Sequence, residues 1–167
     1  MIDIAKHPDD VHGYRLTTEI RLPTPIVEVF EFFSDAHNLE EITPPWLHFS
    51  VQTPAPIEMK RGALIDYRLR LHGIPIRWRT EITAWEPPYR FVDEQLRGPY
   101  RYWRHEHTFE EKDNETIARD QVDYSVPGGA LIHWLLVKSD VRRIFEYRGQ
   151  ILARRFAQRL NVAPVVG

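Results

Sequence analysis

Between Trp46 and Val126 the chain is built of long segments in which apolar and polar residues alternate, and beyond Ala130 that period of two gives way to a helical one. The alternating segments are residues 46–53, 63–71, 74–85, 89–97, 100–111 and 116–126. The separators are short: Lys60-Arg61-Gly62, His72-Gly73, Pro87-Pro88, Gly98-Pro99 and Asp113-Asn114. Such connections allow only antiparallel neighbours, because a parallel crossover needs about a dozen residues or more. The spacing therefore predicts a meander long enough to twist and curl. From residue 130 to 160, Leu131, Trp134, Leu135, Val141, Ile144, Phe145, Ile151, Leu152, Phe156 and Leu160 mark one apolar stripe. Arg142, Arg143, Arg154 and Arg159 fall mostly off it, as on an amphipathic helix. About 30 helical residues would reach ~45 Å. Ser139-Asp140 is the place to expect a kink, since both residues prefer caps.

The first part of the chain completes the plan. Tyr14, Leu16, Thr18, Ile20 and Leu22 alternate with Arg15, Thr17, Glu19 and Arg21, the pattern of a half-buried strand over residues 14–22. Pro23-Thr24-Pro25 ends it, with Thr24 placed to cap a helix and Pro25 at its first position. Ile26, Val29, Phe30 and Phe33 then recur at helical spacing, and a second short helical piece is expected over residues 35–42, before Pro44-Pro45. The order is one strand, two short helices, six strands and one long helix. The chain reads as a single domain over 1–167, with an ordered core at about 14–160 and loose ends at 1–12 and 161–167. An α+β fold follows: a curved antiparallel sheet of seven strands with the long C-terminal helix across its concave face, because that arrangement buries both apolar surfaces. A straight rod cannot fill a bent trough, so a cavity is expected between them.

Composition removes several classes of function. Aromatic residues make up 12% of the 167, which argues against disorder. The formal net charge is −2, so a nucleic-acid partner is not expected. There is no Cys, which excludes disulfides, thiolate catalysis, Cys-ligated zinc and iron–sulfur clusters. The N-terminal MIDIAKHPDD lacks a basic region followed by an apolar run, and the longest uncharged apolar stretch, residues 125–137, is short of the ~20 a membrane span needs. The expectation is a cytoplasmic protein without an integral membrane segment. G-x-S-x-G, G-x-G-x-x-G and the phosphate loop G-x-x-x-x-G-K-[ST] are all absent, and no cofactor is expected.

The local phrases carry a resemblance. They are the Thr24-Pro25…Val29-Phe30 helix entry, Trp85-Glu86-Pro87-Pro88, Arg90-Phe91-Val92-Asp93-Glu94-Gln95, Trp103-Arg104-His105-Glu106-His107-Thr108-Phe109, Tyr124-Ser125-Val126-Pro127 and Ile144-Phe145-Glu146-Tyr147-Arg148. With the order of elements, they resemble the START-like (SRPBCC) superfamily with the helix-grip fold. That group includes Bet v 1-like proteins, polyketide cyclases/dehydrases and coenzyme-Q-binding proteins. The resemblance covers roughly residues 14 to 158, and bacterial single-domain members are among those the chain closely resembles. It implies the fold and a cavity for a small hydrophobic molecule. It supplies no catalytic motif to carry over residue by residue, because this fold hosts carriers, cyclases, hydrolases and regulatory binders.

The residues themselves offer candidates. In His105-Glu106-His107 the two imidazoles share a strand face with Trp103 and Phe109. A hairpin turn at Asp113-Asn114 brings Asp120 within a residue or two of them, and an Asp–His pair beside a cavity can act as a general base with its orienting group. The plainer alternative is a buried polar link that fixes the sheet or orients a ligand. A metal is not expected, since spacing places no third His nearby. Asp93 and Gln95 share one face of their strand with Phe91, while Val92, Glu94 and Leu96 share the other, and a bulge would decide which face points inward. Tyr67, Trp78, Trp103, Tyr124 and Trp134 are expected to wall the cavity, together with Asp93, Gln95, His105 and His107. The basic residues Arg68, Arg70, Arg77, Arg79, Arg97, Arg101 and Arg104 are expected to pair with carboxylates across an outer face. The leading expectation is a monomer or homodimer that binds a lipid, isoprenoid, quinone or polyketide-like molecule without chemistry. The alternatives are a cofactor-independent cyclase/dehydratase using His105, His107, Asp93 or Asp120, and an interaction or regulatory module whose cavity is filled by side chains.

Overall fold

A computed structural model describes residues 1–10 and 12–159. The strands are β1 (Ile2–Lys6), β2 (Gly13–Leu22), β3 (Ser50–Val51), β4 (Leu64–Leu71), β5 (Ile74–Glu86), β6 (Arg90–Arg97), β7 (Tyr102–Lys112) and β8 (Glu115–Ser125). They form an eight-stranded sheet in the order β1-β2-β8-β7-β6-β5-β4-β3, and each neighbouring pair is antiparallel. Two helices, α1 (Ile26–Ser34) and α2 (Leu39–Ile42), follow β2, and α3 (Gly129–Ile132) and α4 (Lys138–Arg159) follow β8. This is the α+β helix-grip architecture. Among the described residues no helix is long and apolar enough to cross a membrane.

Turn chemistry sets the register. Asp113 and Asn114 both adopt positive φ, which these residue types tolerate, and the tight turn pairs Lys112 with Glu115. His72-Gly73 turns β4 into β5 in the same way, pairing Leu71 with Ile74. The β5–β6 ladder shifts register between Arg79 and Thr80 and again between Ile82 and Ala84. Such bulges sharpen the local twist and bend.

Three expectations need correction. The expected loose end at 1–12 contains a strand: Ile2–Lys6 pairs with β2 and supplies the eighth strand, while Ile2 and Ile4 pack near Leu16 and Val141. The expected strand over 46–53 shrinks to Ser50–Val51, because Pro45–Leu47 forms a 3-10 turn and His48 takes a left-handed conformation. The apolar stripe of the last helix does not extend through its beginning. Val141, Phe145, Leu152 and Phe156 are buried, but Leu131, Trp134 and Leu135 face outward, with Trp134 72% exposed. A π-helical turn, His133–Val137, joins α3 to α4 and shifts the angular phase, so His133 takes the inner position. Its ring stacks on Tyr14 at 3.3 Å and Nε2 lies 2.9 Å from the Tyr124 hydroxyl. The irregularity thus precedes Ser139-Asp140, which lie within the continuous helix α4. Residues 161–167, expected to be a loose tail, lie outside the described residues.

Candidate functional site

Between the sheet and α4 lies a cavity of about 180 Å³. Tyr67, Trp78 and Phe91 from the strands, Phe33 from α1 and Phe145 from α4 supply much of its apolar wall. Trp78 meets Trp103 edge to face at 5.4 Å, and Tyr100 lies 4.6 Å from Trp103, so the aromatic wall is itself interlocked. The cavity is neither filled by side chains nor large. A dry cavity of ~150 Å³ takes a single benzene ring.

Its polar end is built by the register of three strands. Asp93 on β6 stands opposite His105 on β7, and His107 on β7 stands opposite Asp120 on β8. Side chains at these positions leave one face of the sheet, so two imidazoles and two carboxylates converge. His105 Nε2 lies 2.9 Å from Asp120 Oδ1, and His107 Nε2 lies 3.1 Å from Asp93 Oδ2. His107 Nδ1 is 2.9 Å from Asp120 Oδ1, though out of line for a hydrogen bond. His105 Nδ1 is farther from its nearest carboxylate, 3.8 Å from Asp93. The two rings are 3.8 Å apart. Arg148 on α4 closes the group, with Nη2 3.6 Å from Asp120 Oδ1 and its guanidinium over the rings of Phe33 and Phe145.

These surroundings separate the two histidines. Burial pushes His105 down, the neighbouring His107 adds to the effect, and Asp120 only partly offsets it. Burial also opposes charge on His107, but Asp120 and Asp93 outweigh it and raise its pKa. Burial works against charge on Asp120 as well, and Arg148 with the two histidines overcomes it, holding the carboxyl well below its ordinary range. Asp93 is lowered in the same sense, chiefly through His107. Burial and the nearby Asp93 raise Tyr67, so its hydroxyl keeps its proton. The surroundings therefore push two adjacent imidazoles in opposite directions, one toward the neutral and one toward the protonated form, beside a cavity. Asp93, His105 and His107 each offer one ligand atom within 4.8 Å of the others, a spacing at which a metal ion could be held. The Arg148 guanidinium opposes a second cation there.

Of the residues singled out in the sequence, Tyr67, Trp78, Asp93, Trp103, His105 and His107 line the cavity. Asp120 holds both histidines from behind. Gln95 turns instead to the backbone of Tyr100, donating to its carbonyl at 2.8 Å. Tyr124 is buried in the neighbouring core against Tyr14, Trp103 and His133. Trp134 is a correction: it stands in the open, away from the cavity. Arg79 and Arg104 pair with carboxylates on the outer face as expected, whereas Arg68 and Arg77 stand directly opposite each other and have no ion pair among the described residues. Arg148 escaped sequence reasoning. The one available signal was an arginine at helical spacing from Val141 and Phe145, and among several other arginines that signal is faint.

A curved sheet gripping a long helix, with a cavity and a polar cluster between them, defines the helix-grip class of ligand-binding proteins and enzymes. Within it, this chain belongs to the polyketide cyclase / dehydrase and lipid transport family, whose model matches residues 22–146. Solved structures share the fold at low identity. Protein Ms6760 from Mycobacterium smegmatis is 18% identical, with a TM-score of 0.66 over 95% of this chain and 99% of that one. Zhui aromatase/cyclase from Streptomyces sp. R1128 is 15% identical, with a TM-score of 0.72 over 93% of this chain and 100% of that one. The major latex-like protein 151 of Panax ginseng is 12% identical, with a TM-score of 0.63 over 87% and 98% of the two chains. No protein of curated function matches the sequence significantly.

Proposed function

We propose that this protein takes a compact, largely apolar carbonyl compound into the cavity and moves protons on it without a cofactor, the chemistry of a cyclase/dehydratase. The observation that carries this reading is the pair of adjacent imidazoles at the cavity, pushed toward opposite protonation states. His105 is the base. With Nε2–H donated to Asp120, its Nδ1 keeps a free lone pair, and Asp120 fixes the tautomer. Removal of a proton next to a carbonyl breaks a C–H bond and leaves an enolate carbon, which forms the new C–C bond at a second carbonyl of the same molecule. His107 holds the proton that neutralises the resulting alkoxide, and Asp93, which touches both His107 and the cavity, is the short path for it. The family description and the fold shared with an aromatase/cyclase support this reading. Binding without chemistry is the second reading, favoured by one observation: both ring nitrogens of His107 already face carboxylates.

Exchange of the α-protons of tetralone in deuterated buffer, followed by NMR, separates the two. The catalytic reading expects exchange well above buffer, rising as pH increases through the lowered His105 titration, and lost in His105→Gln while tetralone still binds. Exchange no faster than buffer, with tetralone bound, leaves the carrier reading standing instead.

A further inference from the structure

Residues 130–136 read ALIHWLL, and within them only His133 is buried. Leu131, Trp134 and Leu135 are more than half exposed, and Ile132 and Leu136 are open as well. A helical segment that is apolar on nearly every side normally sits inside a protein or in lipid, so this one lacks its surroundings. The β4–β5 turn extends the patch. His72 Nε2 meets Asp140 Oδ2 at 2.7 Å, one helical turn beyond Leu136, and Ile74 beside that turn is exposed. Cations border the apolar residues. Lys138 follows them at once and Arg142 comes one turn later, its guanidinium donating to the Ile2 carbonyl at 3.3 Å. On the other side Arg70 and Arg143 line a shallow groove with the exposed Trp46, and the carboxylate in that groove, Asp140, is already engaged by His72. None of these four cations has an ion-pair partner among the described residues.

We propose that this end of the molecule docks on an anionic lipid surface, with Trp134 and the leucines around it in the bilayer interface and Lys138, Arg142, Arg143 and Arg70 against the lipid phosphates. The surface lies outside the cavity and does not depend on what the cavity holds. Leucine supplies apolar area, and Trp favours the level of the headgroups because one edge of its ring is polar. The helical turns over 129–137 rise only ~14 Å, short of the ~30 Å hydrocarbon core, so the segment lies in the interface and does not cross it. Charge decides between a lipid surface and a second copy of this chain. Across a two-fold axis the patch would meet itself, and the bordering cations would be brought near their own copies. An anionic surface meets all four with opposite charge. The whole chain carries a formal net charge of −2, so the attraction is local to this end and falls off within a Debye length.

The test floats the full chain with vesicles of phosphatidylcholine alone, or of equal parts phosphatidylcholine and phosphatidylglycerol. Wild type is expected to float with the mixed vesicles, to shift its tryptophan emission to the blue there, and to lose about tenfold or more of its affinity when salt is raised. Trp134→Ala is expected to weaken this binding about tenfold, through lost apolar area. Lys138→Gln with Arg142→Gln is expected to weaken it roughly fivefold for each charge removed, and to leave binding to phosphatidylcholine unaltered. Trp134→Phe, which keeps a ring at this exposed position, is expected to float yet lose most of the blue shift. Failure of wild type to float overturns the proposal, and so does flotation that ignores both lipid charge and the substitutions. A dimer in sedimentation that Trp134→Ala dissociates, with no binding to lipid, assigns the patch to a second copy and overturns it as well.

Discussion

His133 and His107 are both buried imidazoles, and their surroundings push them in opposite directions. His133 stacks on Tyr14 and meets only the Tyr124 hydroxyl, so burial, helped by Lys138, lowers its pKa to about 4. His107 lies between two carboxylates, which outweigh its burial and raise it. The consequences for stability differ in sign. A histidine lowered in the folded state gives up stability on acidification, because the unfolded chain takes the proton first. For His133 that loss begins near its ordinary value of 6.5 and is complete below about 4. His107 contributes stability that is present below its unfolded pKa and lost as pH rises through its raised folded value. We expect His133→Phe, which keeps the stack, to flatten the acid side of a plot of Tm against pH in that window. An unchanged acid limb would show that His133 already titrates normally. The H-x-H spacing was legible because alternation alone puts both rings on one face. Arg148 was not, because it reaches Asp120 from α4, a separate layer of the fold, and a sequence lists no contacts.

At the scale of the element, the last helix shows how one irregular turn re-sorts a stripe. Seven residues of regular spacing join Trp134 to Val141, but the π-helical turn between them inserts an extra phase shift, so Val141 faces the sheet and Trp134 does not. Trp134→Ala is accordingly expected to cost under ~1 kcal/mol, as exposed positions do. Phe156→Ala, at a residue only 1% exposed, is expected to cost ~3–5 kcal/mol. Urea denaturation of both variants checks the contrast, and a large loss at Trp134 would mean that the start of the helix packs inward. β1 gives the complementary lesson. Its Ile2-Asp3-Ile4 alternation was present in the sequence, but a segment so short becomes a strand only because β2 offers it an open edge.

At the scale of the whole molecule, the curvature of the sheet and the position of α4 set the chamber between them. A chamber of about 180 Å³ is expected to bind bicyclic ketones and to reject long-chain fatty acids, whose tails exceed it. Competition between tetralone and a long-chain fatty acid checks this, and displacement by the fatty acid would show that the chamber opens. The sequence by itself determined the architecture: the two periodicities and the short turns admit few arrangements, and antiparallel pairing follows from connection length. It also placed Asp120 near His105 and His107, since a tight hairpin translates position along the chain into register across it. Only the tertiary structure decided that Asp93 joins that pair, that Arg148 reaches it from another layer, that Trp134 stays outside and that the chamber is small. The physical reason is range: periodicity and turn chemistry act between neighbours along the chain, whereas burial, charge balance and cavity volume depend on residues brought together from distant parts of it.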